Sequence, residues 1–581
     1  MMKNKILKYI GLTFMAILFF GCQDLERPGF SDFAYDGPII TLSNPAPSGS
    51  TVVSSSEPIA SITIKFQVED DLGIANIVVK VNDTEIANMS DFDNNRLVIV
   101  EDLIYDNLTT GSHTLSIIAT DTDGVVTTET AMFEKIDAIP YTPMFDGEMF
   151  YMSFNGDYSE AISGIGATEV GSPGFTDDAV SGSNAYDGAA ESYLTFPSSG
   201  LALGNEFSAT FWVKIDPSDT RAGILNITPK DPSGPSDKPS GFGLIREGDA
   251  NAQKFILLVG NGTNSTWLNP GLPATIDPTL DKWVHFGITI SESNLAMYMD
   301  GELVGEAGFT GIDWTGVGDL SIMSGNPNFS GWDHKTEKGQ MDELRLYNKA
   351  LTESDIQSVM LKEQAAFYMN FNGNFEDVVS GNEASVVGSP GFNVGGGITG
   401  DAYQGAADSY LTFPSNELAQ GSDFSAAFWL KIDPSDTRAG IINIAPAEPE
   451  GPADKPSGFG LIREGSETAQ KFILLAGNGT NATWLNPGQP ATIDPTLGEW
   501  VHLAFVISES KTTLYINGEM VGEADFPGID WAGVGDLVIM SGGPNFSGWN
   551  HKTETGEMDE LYIFKKALSA DEITLLMNDG Q

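Results

Sequence analysis

Residues 207–215 read FSATFWVKI, and this stretch decides the fold class. Its apolar side chains occupy every second position, which places one set on a single face of a β-strand: Phe207, Ala209, Phe211, Val213 and Ile215. The stretch WVHFGITI at 283–290 has the same period. With 65 glycines and 30 prolines for turns, the chain is predicted to be all-β.

A long internal repeat surrounds this strand. The segment KIDPSDTRAG occurs at 214–223 and again at 431–440, and SYLTFP occurs at 192–197 and 409–414. NFSGWDHKTEKGQMDELRLYNKALT at 328–352 returns as NFSGWNHKTETGEMDELYIFKKALS at 545–569, so every pair is offset by 217 positions. We therefore predict two copies of one domain, at 148–363 and 364–581. Each copy is long enough to bury its own core.

The N-terminus has the order of a secretory signal. Three lysines precede an apolar run at 10–20, which is too short to span a bilayer, and Cys22 follows as the single cysteine of the chain. The ending LFFGC resembles a bacterial lipoprotein signal, which implies that residues 1–22 are a signal peptide and that Cys22 carries the lipid. The polar and acidic residues after Cys22 resemble the tags that send lipoproteins to the cell surface. This resemblance implies a lipid-anchored protein of the bacterial outer membrane that faces the cell exterior.

The remaining N-terminal part divides into three segments. Residues 23–37 have no clear period and are predicted to be a tether. Alternating runs such as SITIKFQVED and HTLSIIATD fill residues 38–137, at the spacing of a β-sandwich. The stretch VEDDLGIANIVVKVN resembles bacterial immunoglobulin-like domains, which are most often spacers. Residues 138–147 are predicted to be a linker.

The repeated domain resembles a known family. FSATFWVKI, WVHFGITISESNLAMYMDGELVG and the closing MDELRLYNKALTESDI are similar to the laminin-G-like, concanavalin A-like jelly rolls. The resemblance implies an immunoglobulin-like sandwich followed by two jelly-roll sandwiches. Each copy is expected to close with one short helix, since Thr352 with Asp355 and Ser569 with Glu572 have capping-box spacing.

The charge of the chain restricts its partners. Eighty acidic residues against 29 lysines and arginines give a formal net charge of −51. A field of that sign repels phosphate backbones, which excludes nucleic acid, and it favours a neutral glycan over an acidic one.

No hydrolase motif is found. Jelly-roll endoglucanases carry E-x-D-x-x-E on one strand. The nearest match is Glu557 to Tyr562, where the last position is wrong, and the first copy begins this segment with Gln340. We therefore predict that the protein is not an enzyme.

The family resemblance also implies a structural calcium ion. It points to the early F-N-G turn, an acid after it, and the aspartate of M-D-E-L. In this sequence the implied oxygen ligands are Asn155, Glu160 and Asp342 in the first copy, and Asn372, Asp377 and Asp559 in the second. Solvated turn carboxylates in a very acidic protein are an equally good interpretation.

The candidate ligand-binding residues lie in probable loops. Sugars stack their C–H faces on aromatic rings and offer hydroxyl groups to polar partners. The candidate residues are Trp267, Trp332, His334, Arg221 and Arg246, with Trp484, Trp549, His551, Arg438 and Arg463 in the second copy. A tryptophan tucked over a sandwich edge, or an arginine paired with a loop aspartate, would have the same pattern.

We predict a non-catalytic, surface-anchored protein that binds a polysaccharide through two tandem lectin-like domains. Two equal sites on one chain raise overall affinity by about 10²–10⁴ without a new contact. The layout resembles the binding lipoproteins of polysaccharide-utilisation systems, which implies outer-membrane uptake machinery as a neighbour. An adhesin or structural surface protein that binds protein partners is the alternative, and a glycoside hydrolase or lyase is a third possibility.

Overall fold

The computed structural model describes residues 37–45, 51–55, 59–137, 141, 143–230, 237–447 and 455–578. Cys22, the predicted signal peptide and nearly all of the predicted tether lie outside these residues. The chain forms two compact units, residues 1–140 and 141–581. No helix in the described ranges is long and apolar enough to cross a membrane.

The first unit is a two-sheet sandwich. Its strands are β1 (Ile39–Asn44), β2 (Thr51–Ser55), β3 (Ile59–Glu69), β4 (Ile74–Val81), β5 (Thr84–Met89), β6 (Leu97–Thr109), β7 (Gly111–Asp121) and β8 (Val126–Asp137). One sheet has the order β1-β3-β6 and the other β2-β8-β7-β4-β5. Ile64, Phe66, Ile117 and Phe133 are buried between the sheets. This is the sandwich architecture expected for an immunoglobulin-like domain.

The second unit holds both repeats. The strands of the first copy are β9 (Glu148–Met152), β10 (Thr168–Val170), β11 (Gly174–Thr176), β12 (Ala185–Asp187), β13 (Tyr193–Phe196), β14 (Phe207–Lys214), β15 (Arg221–Ile227), β16 (Phe242–Asp249), β17 (Ala252–Gly260), β18 (Ser265–Leu268), β19 (Thr275–Ile276), β20 (Val284–Ile290), β21 (Asn294–Met299), β22 (Glu302–Gly308), β23 (Leu320–Ile322) and β24 (Gln340–Tyr347). Short 3₁₀ turns lie at Ser198–Gly200, Leu272–Ala274, Pro278–Leu280 and Ser330–Trp332.

The second copy repeats this order and adds a short two-stranded hairpin at residues 376–383. Its strands are β25 (Phe367–Met369), β26 (Glu376–Asp377), β27 (Asn382–Glu383), β28 (Ser385–Val387), β29 (Gly391–Asn393), β30 (Ala402–Gln404), β31 (Tyr410–Phe413), β32 (Phe424–Lys431), β33 (Arg438–Ile444), β34 (Phe459–Ser466), β35 (Ala469–Gly477), β36 (Ala482–Leu485), β37 (Thr492–Ile493), β38 (Val501–Ile507), β39 (Lys511–Ile516), β40 (Glu519–Asp525), β41 (Leu537–Ile539) and β42 (Glu557–Phe564). Its 3₁₀ turns are Gln489–Ala491, Pro495–Leu497 and Ser547–Trp549. The closing helices are α1 (Glu353–Glu363) and α2 (Ala570–Asn578).

Each copy is a pair of stacked antiparallel sheets. In the first copy one sheet runs β10-β13-β23-β15-β16-β17-β18 and the other β11-β12-β24-β14-β20-β21-β22. In the second copy the corresponding orders are β28-β31-β41-β33-β34-β35-β36 and β29-β30-β42-β32-β38-β39-β40. The prediction of an all-β chain with one sandwich in the first unit and two in the second is confirmed.

The alternation in 207–215 fixes which face of β14 enters the core. Phe207, Phe211 and Val213 are fully buried between the two sheets of the first copy. Strand β20 pairs with β14 and with β21, and β21 turns at Asp300-Gly301 into β22. Both turn residues have positive φ, 48° and 79°, as a two-residue hairpin requires.

Helix α1 covers the outer face of β14. Thr352 and Asp355 form the predicted capping box at its start. At its end, the Glu363 carboxylate accepts a hydrogen bond from Trp212 Nε1 at 2.8 Å. Trp212 is therefore buried beneath a helix. Ser569 and Glu572 exchange equivalent capping bonds at α2.

A buried ionic cluster lies at the junction of the two copies. Arg345 on β24 donates to Glu148 at 2.7 Å, to Glu343 at 2.9 Å and to Glu363 at 2.8 Å. All four side chains are at most 3% exposed. The ring of Tyr151 lies 3.7 Å from the guanidinium carbon. We call these residues the Arg345 cluster.

The two copies also share apolar contacts at this junction. Leu361 of α1 and Ala365 of the connection belong to a buried cluster with Tyr368, Tyr562 and other side chains of the second copy. Met144, from the segment predicted to be a linker, packs against the same cluster. Part of the predicted linker is thus a packed element of the second unit.

Candidate functional site

A pair of tryptophans forms an aromatic surface in each copy. Trp267 on β18 and Trp332 in the turn Ser330–Trp332 have ring centroids 5.6 Å apart at 48°. Trp484 and Trp549 repeat the pair at 5.4 Å and 51°. Trp267 and Trp484 are each 41% exposed, so one ring of each pair is open to solvent. The structure brings together two residues that are 65 positions apart in the sequence.

An arginine lies beside each aromatic pair. Arg221, the first residue of β15, donates from Nη1 to the carbonyl oxygen of Trp332 at 3.2 Å. Its Nη2 pairs with Glu247 at 3.0 Å, and its side chain is 47% exposed. Arg438 makes the same bond to Trp549 at 3.1 Å. Within the described residues, no acceptor is found for the remaining N–H groups of these arginines, which lie next to the tryptophans.

A polar cleft continues from Arg221 in the first copy. It has a volume of about 300 Å³ and is lined by Arg221, Asp333, Lys335 and their neighbours Ala190, Glu191, Asp219, Thr220, Thr336 and Lys338. Lys338 pairs with Asp219 at 2.9 Å. Donors and acceptors of both signs therefore lie within reach of a polar ligand.

The two predicted histidines lie beneath this surface. His334 is 2% exposed, and its Nε2 is 3.7 Å from Glu247. Burial, helped by the charge of Arg221, lowers the pKa of His334 to about 4, and burial lowers that of His551 to about 4. Both are neutral at pH 7 and support the loop that carries Trp332 or Trp549. Direct contact of their rings with a ligand, which the sequence suggested, does not fit this burial.

Arg246 and Arg463 also require a correction. Both are fully buried. Arg246 is ion-paired with Glu337 and donates to the main-chain oxygens of Asp216 and Asp219. Arg463 makes the corresponding contacts in the second copy with Glu554, Asp433 and Asp436. These buried arginines hold the DPSD loops in place through main-chain oxygens. Their carboxylate partner is a distant glutamate and not the loop aspartate of the alternative interpretation.

The residues implied as calcium ligands bind main-chain amides. In the first copy, Asn155 Oδ1 accepts from Ser183 and Asn184, Glu160 from Tyr151, Ile162 and Ser163, and Asp342 from Val180, Ser181 and Glu343. In the second copy, Asn372 accepts from Asp401, Asp377 from Tyr368, Val379 and Ser380, and Asp559 from Ile398, Thr399 and Glu560.

These contacts use the oxygens of the candidate residues to hold loops. In the described part of the chain, no group of three or more His, Cys, Asp or Glu side chains is placed to hold a metal ion. Burial, with a contribution from Glu343, raises the pKa of Asp342 well above its usual value, and burial raises that of Asp559 to about 7. Because these residues accept hydrogen bonds from main-chain amides, they hold their loops in place. Calcium binding stays a prediction.

The nearest match to a hydrolase motif is also engaged in structural contacts. Tyr151 donates a hydrogen bond to Glu343, which is ion-paired with Arg345. In the second copy, Tyr368 and Tyr562 both donate to Glu560. Burial raises the pKa of Glu343, and the positive charge of Arg345 opposes that shift.

Some lining residues were absent from the sequence-based set. Glu247 orients Arg221, while Asp219 and Thr220 line the polar cleft. All three lie in segments that repeat, KPSGFGLIREG and KIDPSDTRAG. All three recur in the second copy next to the equivalents of Arg221 and Arg246, and this recurrence could have identified them from the sequence.

Comparisons with known proteins add a family and a fold. A search of curated proteins found no match. Solved structures similar to the chain include domain 4 of an extracellular arabinanase from Geobacillus stearothermophilus in complex with arabinotriose. It has 18% identity, with 37% of this chain and 98% of that chain covered and a TM-score of 0.28. Domains LG4-5 of the mouse laminin alpha1 chain have 10% identity, cover 75% and 94%, and give a TM-score of 0.21.

The binding domain of botulinum neurotoxin DC, solved in complex with rat synaptotagmin II, is also similar. It has 11% identity, with 73% of this chain and 99% of that chain covered and a TM-score of 0.28. The family model Laminin_G_3 matches residues 187–357 and 404–574, one segment in each copy. The chain therefore belongs to the Concanavalin A-like lectin/glucanases superfamily, with two tandem domains of that family.

Proposed function

We propose that the protein binds a neutral polysaccharide at the two aromatic surfaces and does not cleave it. The observation that carries this proposal is the pair of tryptophans with an adjacent arginine, which occurs with nearly the same geometry in both copies. The open ring offers a stacking face, and the arginine offers N–H donors to hydroxyl groups.

The family includes both lectins and glucanases, so membership alone does not separate binding from cleavage. The choice between the two rests on the carboxyl groups of the site. Glu343, Asp342 and Asp559 are bound to an arginine or to main-chain amides and lie away from an open surface. A glycosidase needs two carboxyl groups that flank an accessible glycosidic bond. The occupied carboxylates favour binding without catalysis.

The proposal includes an anchor on Cys22 and a position on the outer face of a bacterial outer membrane. It rests on the order of lysines, apolar run and cysteine in residues 1–22. With the immunoglobulin-like unit as a spacer, the tandem domains would hold polysaccharide near uptake machinery. Palmitate labelling of cells that express the chain and its Cys22→Ser variant tests the anchor.

Affinity gel electrophoresis of the purified chain against a panel of neutral polysaccharides tests the binding. We expect retardation by at least one polysaccharide and no release of reducing sugar. Trp267→Ala combined with Trp484→Ala removes the exposed ring from both copies. The variant should lose the part of the retardation that arises from polysaccharide bound at the aromatic surfaces.

Leu280→Ala combined with Leu497→Ala is the matched control. These leucines are also exposed, at 58% and 64%, and lie outside the aromatic pairs. The control should bind as the wild type does. Equal retardation of the tryptophan variant and the wild type would refute the site, and steady release of sugar would refute the non-catalytic function.

A further inference from the structure

A cleft between the two jelly rolls is separate from both aromatic surfaces. It has a volume of about 770 Å³ and is formed by residues 179–183 of the first copy, the connection 364–366 and residues 379–381 of the second copy, with Asn155, Glu417, Lys565 and Lys566. This volume is within the range in which proteins bind small molecules. Unlike parts of the two copies build it, so the 217-residue repeat does not generate a second copy of this cleft.

The walls of the cleft are held in place by buried or partly buried side chains. Asp342 binds the amides of Val180 and Ser181, at 2.8 and 3.1 Å. Asp377 binds the amides of Val379 and Ser380 on the opposite side. Both loops are therefore ordered before a ligand arrives, which lowers the entropic cost of binding.

The cleft presents acceptors and donors together. Within the described residues, no hydrogen-bond donor is found for the main-chain oxygens of 179–183 or 379–381. The donors are Asn155 Nδ2, Gln364 Nε2 and the exposed Lys565 Nζ, since Asn155 and Gln364 use only their oxygens in the bonds described. The Lys566 ammonium is neutralised by Glu572 at 2.7 Å.

Among the described residues, no aromatic side chain lines this cleft, in contrast to the surfaces at Trp267 and Trp484. Its ionic groups, Lys565 and Glu417, balance each other in charge. A ligand that matches it is neutral and carries groups that both donate and accept hydrogen bonds. Sugar hydroxyl groups have this property.

We propose that this cleft is a third glycan-binding subsite, which holds a short segment of a neutral sugar chain by hydrogen bonds without stacking. The inference rests on the proposed function and extends it. It assigns a role to Gln364, Lys565 and Glu417, whose counterparts 217 positions away are Gly147, Asn348 and Gly200.

Isothermal titration of the full chain tests the subsite. The probes are cello-, xylo-, malto-, laminari- and arabinohexaose. In a chain with Trp267→Ala and Trp484→Ala, we expect one of these hexaoses to bind weakly at one site per chain. Adding Lys565→Ala and Glu417→Ala should weaken that residual binding at least tenfold, because one donor and one acceptor are lost.

A charge-matched control is Lys349→Ala with Glu519→Ala in the same background. It removes one lysine and one glutamate from exposed or half-exposed positions outside the cleft and should leave the residual binding unchanged. If the wild type binds a hexaose and the tryptophan variant binds none, the subsite is refuted while the proposed function stands. Residual binding that the cleft substitutions do not change also refutes the subsite, and a wild type that binds no probe refutes both.

Discussion

The Arg345 cluster allows a quantitative prediction about the stability of the first jelly roll. Arg345→Met keeps most of the side-chain volume but removes the charge that faces Glu148, Glu343 and Glu363. Three ion pairs of 2.7 to 2.9 Å are lost, and their acidic partners remain buried. Removing one member of a buried ion pair costs about 3–5 kcal/mol, so we expect a loss of that size near pH 8.5.

The loss should depend on pH with a definite sign. Burial raises the pKa of Glu363 to about 8 even beside Arg345, and that of Glu343 rises as well. A carboxyl group with a raised pKa in the folded state contributes most stability at low pH, and this contribution is lost between its unfolded pKa of 4.5 and about pH 8. Removing Arg345 raises these pKa values further. The deficit of the variant should therefore be smaller at pH 5.5 than at pH 8.5.

Guanidinium denaturation of the full chain, followed by far-UV circular dichroism and by tryptophan fluorescence, measures the change. Trp212 donates to Glu363 and reports on the cluster directly. Arg438→Met is the control, since Arg438 is 44% exposed and its ion pair with Glu464 is worth about 0–1 kcal/mol. A loss below about 1 kcal/mol for Arg345→Met, or the same loss at both pH values, would contradict the reasoning.

Three further predictions concern the core, a buried histidine and the paired sites. Phe211→Ala should lower the free energy of unfolding by about 3–5 kcal/mol, measured by denaturation, because the fully buried ring leaves a cavity. The pKa of His334 is about 4 in the folded state, below its unfolded value of 6.5. Lowering the pH from 7 to 5 should therefore reduce the free energy of unfolding by about 2 kcal/mol through this group. His334→Asn should reduce this loss of stability on acidification, and an unchanged pH profile would contradict it. Trp267→Ala alone should weaken binding to a long polysaccharide about 10²-fold or more in affinity electrophoresis but leave the per-site affinity for a hexaose at the second copy unchanged.

The core of the jelly rolls could be predicted from local patterns. The period of two in 207–215 assigned Phe207 and Phe211 to the core, and the capping pairs located the start of each closing helix. These features depend on residues that are neighbours in the chain, so the sequence contains them directly.

The roles of polar side chains could not be predicted in the same way. The partner of Arg246 is Glu337, 91 positions away, and no pattern in the neighbouring sequence indicates this pair. Arg246 was therefore assigned to a ligand surface. The side chain of Asp342 was assigned to calcium, since an aspartate that binds a metal and one that binds main-chain amides look identical in a sequence. The docking of α1 over Trp212 likewise depends on a contact across 151 positions.

Differences between the repeats carried a signal that their similarities did not. Glu148 and Arg345 correspond to Ala365 and Tyr562 in the second copy. A charged pair present in one copy alone indicates a contact that the repeat does not share. The comparison therefore marks the Arg345 cluster as a feature of the first copy alone.

The packed junction has a consequence for the length of ligand that the protein selects. Because Leu361 and Ala365 pack against buried side chains of the second copy, the distance between the aromatic surfaces is set by the protein. A chain of sugars shorter than that distance can occupy only one surface and gains nothing from the other. Longer polymers gain the second contact at once, so we expect binding to strengthen in a single step at a threshold number of sugar units.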